Sequence, residues 1–350
     1  MTESSTTVND SARAGGEQVG KLVSMSASEL RDRLETLFAE ARPGRSSFSI
    51  GPLKELSGGW ANSLYGFTLR PAPPADWLAQ DLVLKMYAPD ARGLDHAERE
   101  LRALSELGAI GYPVPGVERF ELDGRSFGRP FIMMESIEGG SFWDAFEAAD
   151  APGRALLVEE FVKQLIALHA CDPRLLDPDA ELAHPYGYIE QELGRLRADS
   201  DQQAVLGEIV DWLEMHKGSV PCERLSVLHR DYHPWNVLVT AERRLVVIDW
   251  DWQIGDARFD LAWACMLIYR SGAPELRISV RKEYEHQLGF TPEGLDYFEV
   301  LTTARWLLNV LPAAAIWEDF RTFLIDPIRR AETILKEHTD IEVVLQTRDC

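Results

Sequence analysis

The sequence predicts an α+β protein of two lobes, a small β-rich lobe over residues 25–136 and a larger helical lobe over 137–345, behind a disordered tail over 1–24. Three observations predict it. Short strand-like apolar runs separated by Gly, Pro and polar residues cluster before residue 136. Apolar residues at helical spacing dominate after it. The 350 residues, 45% hydrophobic, are ample for a sizeable core in one bilobal unit or two domains.

The first 24 residues are polar and rich in Ser, Thr and Gly, without the apolar stretch of a signal peptide. Order is expected to begin at Ser26, which with Glu29 forms a capping box ahead of Leu30, Leu34, Leu37 and Phe38 at helical spacing. Residues 48–69 then read as two strand-like runs around Ser57, Gly58 and Gly59, and exposed glycine amides in such a turn can cradle phosphates. Residues 82–87 (LVLKMY) form an apolar strand holding one lysine, Lys85. The helix after it has Leu94, Ala97, Leu101 and Leu104 on its inner stripe, flanked by Glu98 and Glu100 at similar angles, so periodicity leaves either glutamate as a partner for Lys85. Tyr112-Pro113-Val114-Pro115 is an extended linker, because proline disfavours helix in the residue before it. Residues 130–135 (PFIMME) read as a buried strand and Gly139-Gly140 as a flexible crossing into the second lobe. Helices are expected across 158–169, 205–213, 260–269 and 297–316, with His169 packed in the core at a helix end.

Residues 229–260 (HRDYHPWNVLVTAERRLVVIDWDWQIGDARFD) carry the chemistry. A loop feeds a hairpin whose first strand is opened by Asn236 and whose second is closed by Asp249, so both side chains return toward Asp231. The spacing H-x-D-x-x-x-x-N over His229, Asp231 and Asn236 is that of a kinase catalytic loop. One carboxylate to orient an attacking hydroxyl and two oxygen ligands for magnesium are what phosphoryl transfer from Mg-ATP requires.

HRDYHPWNVL, VVIDWDW and GDARFDLAW together resemble the aminoglycoside phosphotransferase and choline kinase-like family, whose members share the protein-kinase fold and phosphorylate small molecules. The resemblance runs from about Phe48 onward. It implies Asp231 as catalytic base, Asn236 and Asp249 as Mg2+ ligands, Asp260 as a brace for the loop, and ATP as phosphate donor. It further implies that Ser57, Gly58, Gly59 and Lys85 lie on the nucleotide phosphates, that Glu100 is the partner of Lys85, and that adenine lies against Met134 and bonds main-chain groups of Glu135 and Ile137. The sequence departs from the family at Trp235, where glycine is frequent, and at Arg230, where a small residue is common. His233 stands where protein kinases carry a phosphate-contacting lysine, and reads equally as that group or as a loop-shaping residue.

A net charge of -21 speaks against nucleic acid and anionic membranes as partners, and no apolar run is long enough to span a bilayer. The cysteines Cys171, Cys222, Cys265 and Cys350 have no metal-like spacing and read as free thiols of a cytoplasmic protein. Only residues 250–259 separate Asp249 from Asp260, too few for the segment on which protein kinases dock polypeptides. The expected acceptor is therefore a small-molecule hydroxyl. Trp250, Trp252, Trp263, Trp306 and Trp317, with Asp251, Asp256, Glu318 and Asp319, suit an aminoglycoside or an amino alcohol. Homoserine, a sugar or a macrolide is compatible with the same catalytic residues, and a protein kinase or a non-catalytic nucleotide-binding module are the remaining alternatives.

Overall fold

The computed structural model describes residues 25–41, 48–56, 62–71, 79–200, 204–316 and 318–341. The N-terminal stretch 1–24 and the expected phosphate-loop residues Ser57, Gly58 and Gly59 lie outside them. The chain divides into two compact units, residues 1–138 with 246–248, and residues 139–245 with 249–350.

The first unit opens with helix α1 (Ala27–Ala41). Ser26 Oγ accepts the Glu29 amide at 3.2 Å, satisfying a donor the helix cannot, and Leu30 and Leu34 are fully buried. They pack with Ile50, Phe67, Leu84, Phe131 and Met133 in one core, each buried leucine stabilising it by roughly 2 kcal/mol. The sheet beneath comprises β1 (Phe48–Ile50), β2 (Lys54–Leu56), β3 (Ser63–Pro71), β4 (Gln80–Met86), β5 (Val117–Glu121) and β6 (Phe131–Glu135), in the order β1-β3-β4-β6-β5 with β2 on β3. Every pairing is antiparallel. Between β4 and β5 runs helix α2 (Ala91–Ala109), capped by Asp90, whose carboxylate accepts the Gly93 amide. It stops where Gly111 takes a left-handed φ of 82° ahead of the Tyr112-Pro113 linker.

The second unit opens on β7 (Gly139–Ser141), followed by α3 (Phe142–Ala148), α4 (Ala151–Ala170), α5 (Gly187–Ser200) and α6 (Ala204–His216). Here the structure corrects the reading of Gly139-Gly140 as a flexible crossing, because these residues are strand, with Gly139 opposite Thr240 and Gly140 opposite Val239. A Cβ on Gly139 would lie 2.3 Å from the Val239 carbonyl oxygen, so the missing side chain permits the close approach that pairs them. Strands β8 (Ser226–Leu228), β9 (Val237–Thr240) and β11 (Gln253–Gly255) follow, while of β10 (Leu245–Val247) only Leu245 is counted in this unit. The run before His229 does more than lead into the loop, since β8 pairs antiparallel with β11. The unit closes with α7 (Ala257–Arg270), α8 (Pro274–Leu288), α9 (Leu295–Ile316) and α10 (Glu318–His338). Among the described residues no helix is long and apolar enough to cross a membrane.

Candidate active site

The loop between β8 and β9 is hung from one carboxylate. Asp260, fully buried in the first turn of α7, accepts the amides of His229 at 2.6 Å and Arg230 at 3.0 Å. His169 Nε2 approaches the same carboxylate at 3.4 Å while its Nδ1 meets the Tyr284 hydroxyl at 2.9 Å, so the core histidine holds Asp260 from behind. Arg230 has a left-handed φ of 74°, costing a non-glycine residue on the order of 1 kcal/mol. Its buried guanidinium is bound to Glu192 at 2.7 Å, to the Tyr188 hydroxyl at 3.3 Å and to Gln253, and lies over the Phe259 ring, which offsets that strain.

This clamp sets the direction of Asp231. Its Oδ1 accepts the Trp263 indole N–H at 2.9 Å, and its Oδ2 accepts Asn236 Nδ2 at 3.1 Å and faces His233 Nε2 at 3.3 Å. Because His233 Nδ1 accepts the Trp235 amide at 3.2 Å, the ring proton sits on Nε2 and points at Asp231. The Asp231 side chain is still 39% exposed, leaving an edge open to solvent. Burial alone would push its carboxyl up, but the His233 imidazole, through its field and its hydrogen bond, the Trp263 N–H and His229 outweigh that and hold it well below the usual carboxylate range. Such a weak base orients a hydroxyl and takes its proton late.

Asn236 Nδ2 also donates to the Asp231 main-chain oxygen at 3.1 Å. Both amide donors are thereby directed at Asp231. Asn236 stands immediately before β9 and Asp249 two residues after β10, the turn between the strands being closed by the Thr240 amide on Arg244. Asp249 is exposed, with a left-handed φ of 63°. An amide oxygen and a carboxylate are the hard donors that Mg2+ takes, so these residues fit that ion.

In the first unit, Lys85 Nζ reaches both oxygens of Glu100, at 2.9 and 2.6 Å, and the Tyr87 hydroxyl donates to the same carboxylate at 2.7 Å. Glu98 is exposed, so the structure makes the choice that periodicity leaves open. Met134 is buried at the end of β6. The Glu135 amide is committed to the Gly116 carbonyl at 2.8 Å, so an adenine contact at Glu135 would use its carbonyl. Ile137 lies in the irregular stretch after the strand.

The tryptophans divide. Trp250 is fully buried against the His229 ring, and Trp252 is nearly so. The Trp263 ring is covered by the Arg305 guanidinium and the Trp306 ring by that of Arg270. Asp256 caps α7 and pairs with Arg258 at 2.6 Å, while Asp251 is exposed. Trp317 and the side chains of Glu318 and Asp319 lie outside the described residues. Sequence reasoning missed the bond from Trp263 to Asp231 and the role of Glu192, since neither falls within reach of a local spacing.

Comparison with known proteins adds independent findings. The profile of the phosphotransferase enzyme family matches residues 52–298. A candidate aminoglycoside phosphotransferase from Ralstonia eutropha JMP134 superposes with a TM-score of 0.66 at 19% identity, over 87% of this chain and 97% of that one. Choline kinase from Cryptosporidium parvum Iowa II gives 0.56 at 16%, over 87% and 96%. A variant of aminoglycoside phosphotransferase APH(4)-Ia, solved as a ternary complex with AMP-PNP and hygromycin B, gives 0.56 at 17%, over 88% and 99%. At these identities the likeness is one of fold, the protein-kinase-like fold of small-molecule phosphotransferases. Among curated sequences, mouse acyl-CoA dehydrogenase family member 10 is 24% identical over 65% of this chain, which spans only 21% of that protein. Chicken acyl-CoA dehydrogenase family member 11 is 24% identical over 53%, spanning 25% of its length.

Proposed function

The chain belongs to the phosphotransferase enzyme family, and from that premise we propose that it transfers the γ-phosphate of ATP to a hydroxyl of a small molecule with Asp231 as catalytic base. The observation that carries this reading is the Asp231 carboxylate, ionised, open on one edge, and fixed by Trp263 and Asn236. Nucleotide complexes of a protein with this fold support ATP as donor.

In the proposed reaction the acceptor hydroxyl donates a hydrogen bond to Asp231, its oxygen forms the new bond to the γ-phosphorus, and the bond from that phosphorus to the bridging oxygen breaks. The proton passes to Asp231 and then to solvent, and ADP leaves. Lys85, held by Glu100 and Tyr87, contributes positive charge to the nucleotide phosphates. Asn236 and Asp249 would hold Mg2+, which when bound neutralises charge developing on the phosphoryl oxygens. His233 steadies Asp231. Most of the rate enhancement then comes from positioning and fixed charge.

The preference for an aminoglycoside or amino-alcohol acceptor draws no support from Trp263, Trp306 and Asp256, whose faces and charge are taken by the protein's own arginines. The test is ADP release from Mg-ATP against separate pools of aminoglycosides, macrolides, amino alcohols, sugars and hydroxy acids, with Asp231→Asn alongside. Release above the variant's background in one pool is the expected result. Equal release by both proteins removes Asp231 from its role, and silence in every pool with nucleotide still bound points to a binding module.

A further inference from the structure

The side of Asp231 that Trp263 covers is cationic. Glu192, 2% exposed, is the one carboxylate shared by Arg195 at 2.6 Å, Arg230 at 2.7 Å and Arg305 at 3.0 Å, an excess of positive charge in a chain whose net charge is -21. Arg305 lies over the Trp263 ring, 5.6 Å from its centroid. The next residue on α9, Trp306, carries the Arg270 guanidinium 5.0 Å from its own ring centroid.

Arg270 differs from the others. Among the described residues no acceptor bonds its guanidinium, and its Nε is shielded from solvent with no hydrogen-bond partner. Burial lowers its pKa to about 10, with the charge of Asp231 opposing that shift. An arginine in the last turn of a helix ordinarily reaches solvent or the terminal carbonyls. This one sits over an indole instead. It also stands two turns after Trp263 on α7, so the two share a face with Cα atoms roughly 10 Å apart. Helical side chains lean toward the N-terminus, which brings Arg270 back toward Trp263 and Asp231.

We propose that Arg270, seated on Trp306, holds an anionic group of the acceptor, so that the hydroxyl phosphorylated at Asp231 belongs to a hydroxycarboxylate or a hydroxylated phosphate ester. This rests on the phosphotransferase reading above and narrows it. A guanidinium fork binds a carboxylate or a phosphate through paired hydrogen bonds, and the shielded Nε supplies one of them. A polycationic acceptor would meet repulsion at the same place.

The test uses the full chain with two readouts. The first is ADP formation from Mg-ATP with a ladder of ω-hydroxycarboxylates, with glycerol 3-phosphate, with the matched diols and glycerol, and with amino alcohols. The second is binding of the same compounds without nucleotide, followed by tryptophan fluorescence and thermal shift. Wild type is compared with Arg270→Met and Arg270→Lys. The expected result is a kcat/KM for the carboxylate or the phosphate series at least about tenfold above the matched neutral alcohols, the responding series naming the anion. That ratio collapses in Arg270→Met through KM and is partly kept in Arg270→Lys, which retains charge without the fork.

A ratio unchanged in Arg270→Met overturns the proposal and leaves Arg270 as packing. A fall in kcat alike for every acceptor overturns it too, placing Arg270 on the transferred phosphoryl group. Turnover of diols or amino alcohols alone sinks it while phosphotransfer stands. If nothing turns over but anions bind and Arg270→Met abolishes that binding, the anion site stands and the phosphotransferase reading falls. Absence of anion binding to wild type overturns the proposal whatever the turnover.

Discussion

The Trp263 indole donates to Oδ1 of Asp231 at 2.9 Å from the helix whose first turn supplies Asp260, so one helix both hangs the loop and aims its carboxylate. Trp263→Phe keeps the stacking on Phe259 and removes only the donor. A hydrogen bond to a charged group contributes about 1.5–3 kcal/mol, so steady-state kinetics should show kcat lowered by roughly ten- to a hundredfold with nucleotide affinity retained.

Glu100 and Glu98 stand two residues apart with opposite surroundings. Glu100→Ala removes the buried carboxylate that neutralises Lys85 and accepts from Tyr87, and should cost about 3 kcal/mol in urea unfolding. The exposed Glu98→Ala should stay within about 0.5 kcal/mol. Equal losses would mean that the Lys85 pair contributes nothing specific.

A second buried carboxylate makes stability depend on pH. Glu299 Oε2 accepts His338 Nε2 at 2.8 Å and Arg277 at 2.9 Å. The hydrogen bond to Glu299 raises the His338 pKa above its ordinary 6.5. Burial would raise Glu299, but His338 and Arg277 outweigh it and bring it below 4.5. The histidine's contribution is complete below 6.5 and is lost as pH rises through its higher folded value. The glutamate's is complete above 4.5 and is lost as pH falls through its lower folded value. His338→Gln should therefore lower the urea midpoint more at about pH 5.5 than at about pH 9. A difference independent of pH would remove the linkage.

Gly139→Ala should lower stability by about 2 kcal/mol, because the new Cβ would press on the Val239 carbonyl 2.3 Å away. A melting temperature unchanged in a thermal scan would show that β7 and β9 tolerate separation.

The Asn236–Asp231 contact was legible because one loop carries both residues, and local spacing reports on local geometry. The capping of α1 by Ser26 and its Leu30-Leu34 stripe were legible for the same reason. Glu98 and Glu100 were not separable, since both flank the buried stripe and only the position of Lys85 on the sheet selects one. Trp263, 32 residues from Asp231, and Glu192, 38 residues from Arg230, meet their partners only through tertiary packing. The tryptophans suggested a cation site because a sequence shows how many there are and not that Trp250 is buried or that guanidiniums already cover Trp263 and Trp306. Gly139 looked like a hinge because glycine permits both mobility and close strand approach, and the sequence cannot say which is used.

Glu192 carries a consequence for how such a chain can diverge. Arg195, Arg230 and Arg305 all end on it, one on its own helix, one in the loop before Asp231 and one beside Trp306. A descendant that replaces Glu192 with an apolar residue keeps three guanidiniums crowded together with their shared counter-charge gone, and replacing any one arginine alone leaves the other two in place. Loss of Glu192 is therefore coupled to change at Arg195, Arg230 and Arg305. A relative that differs at residue 192 should differ at its partners as well.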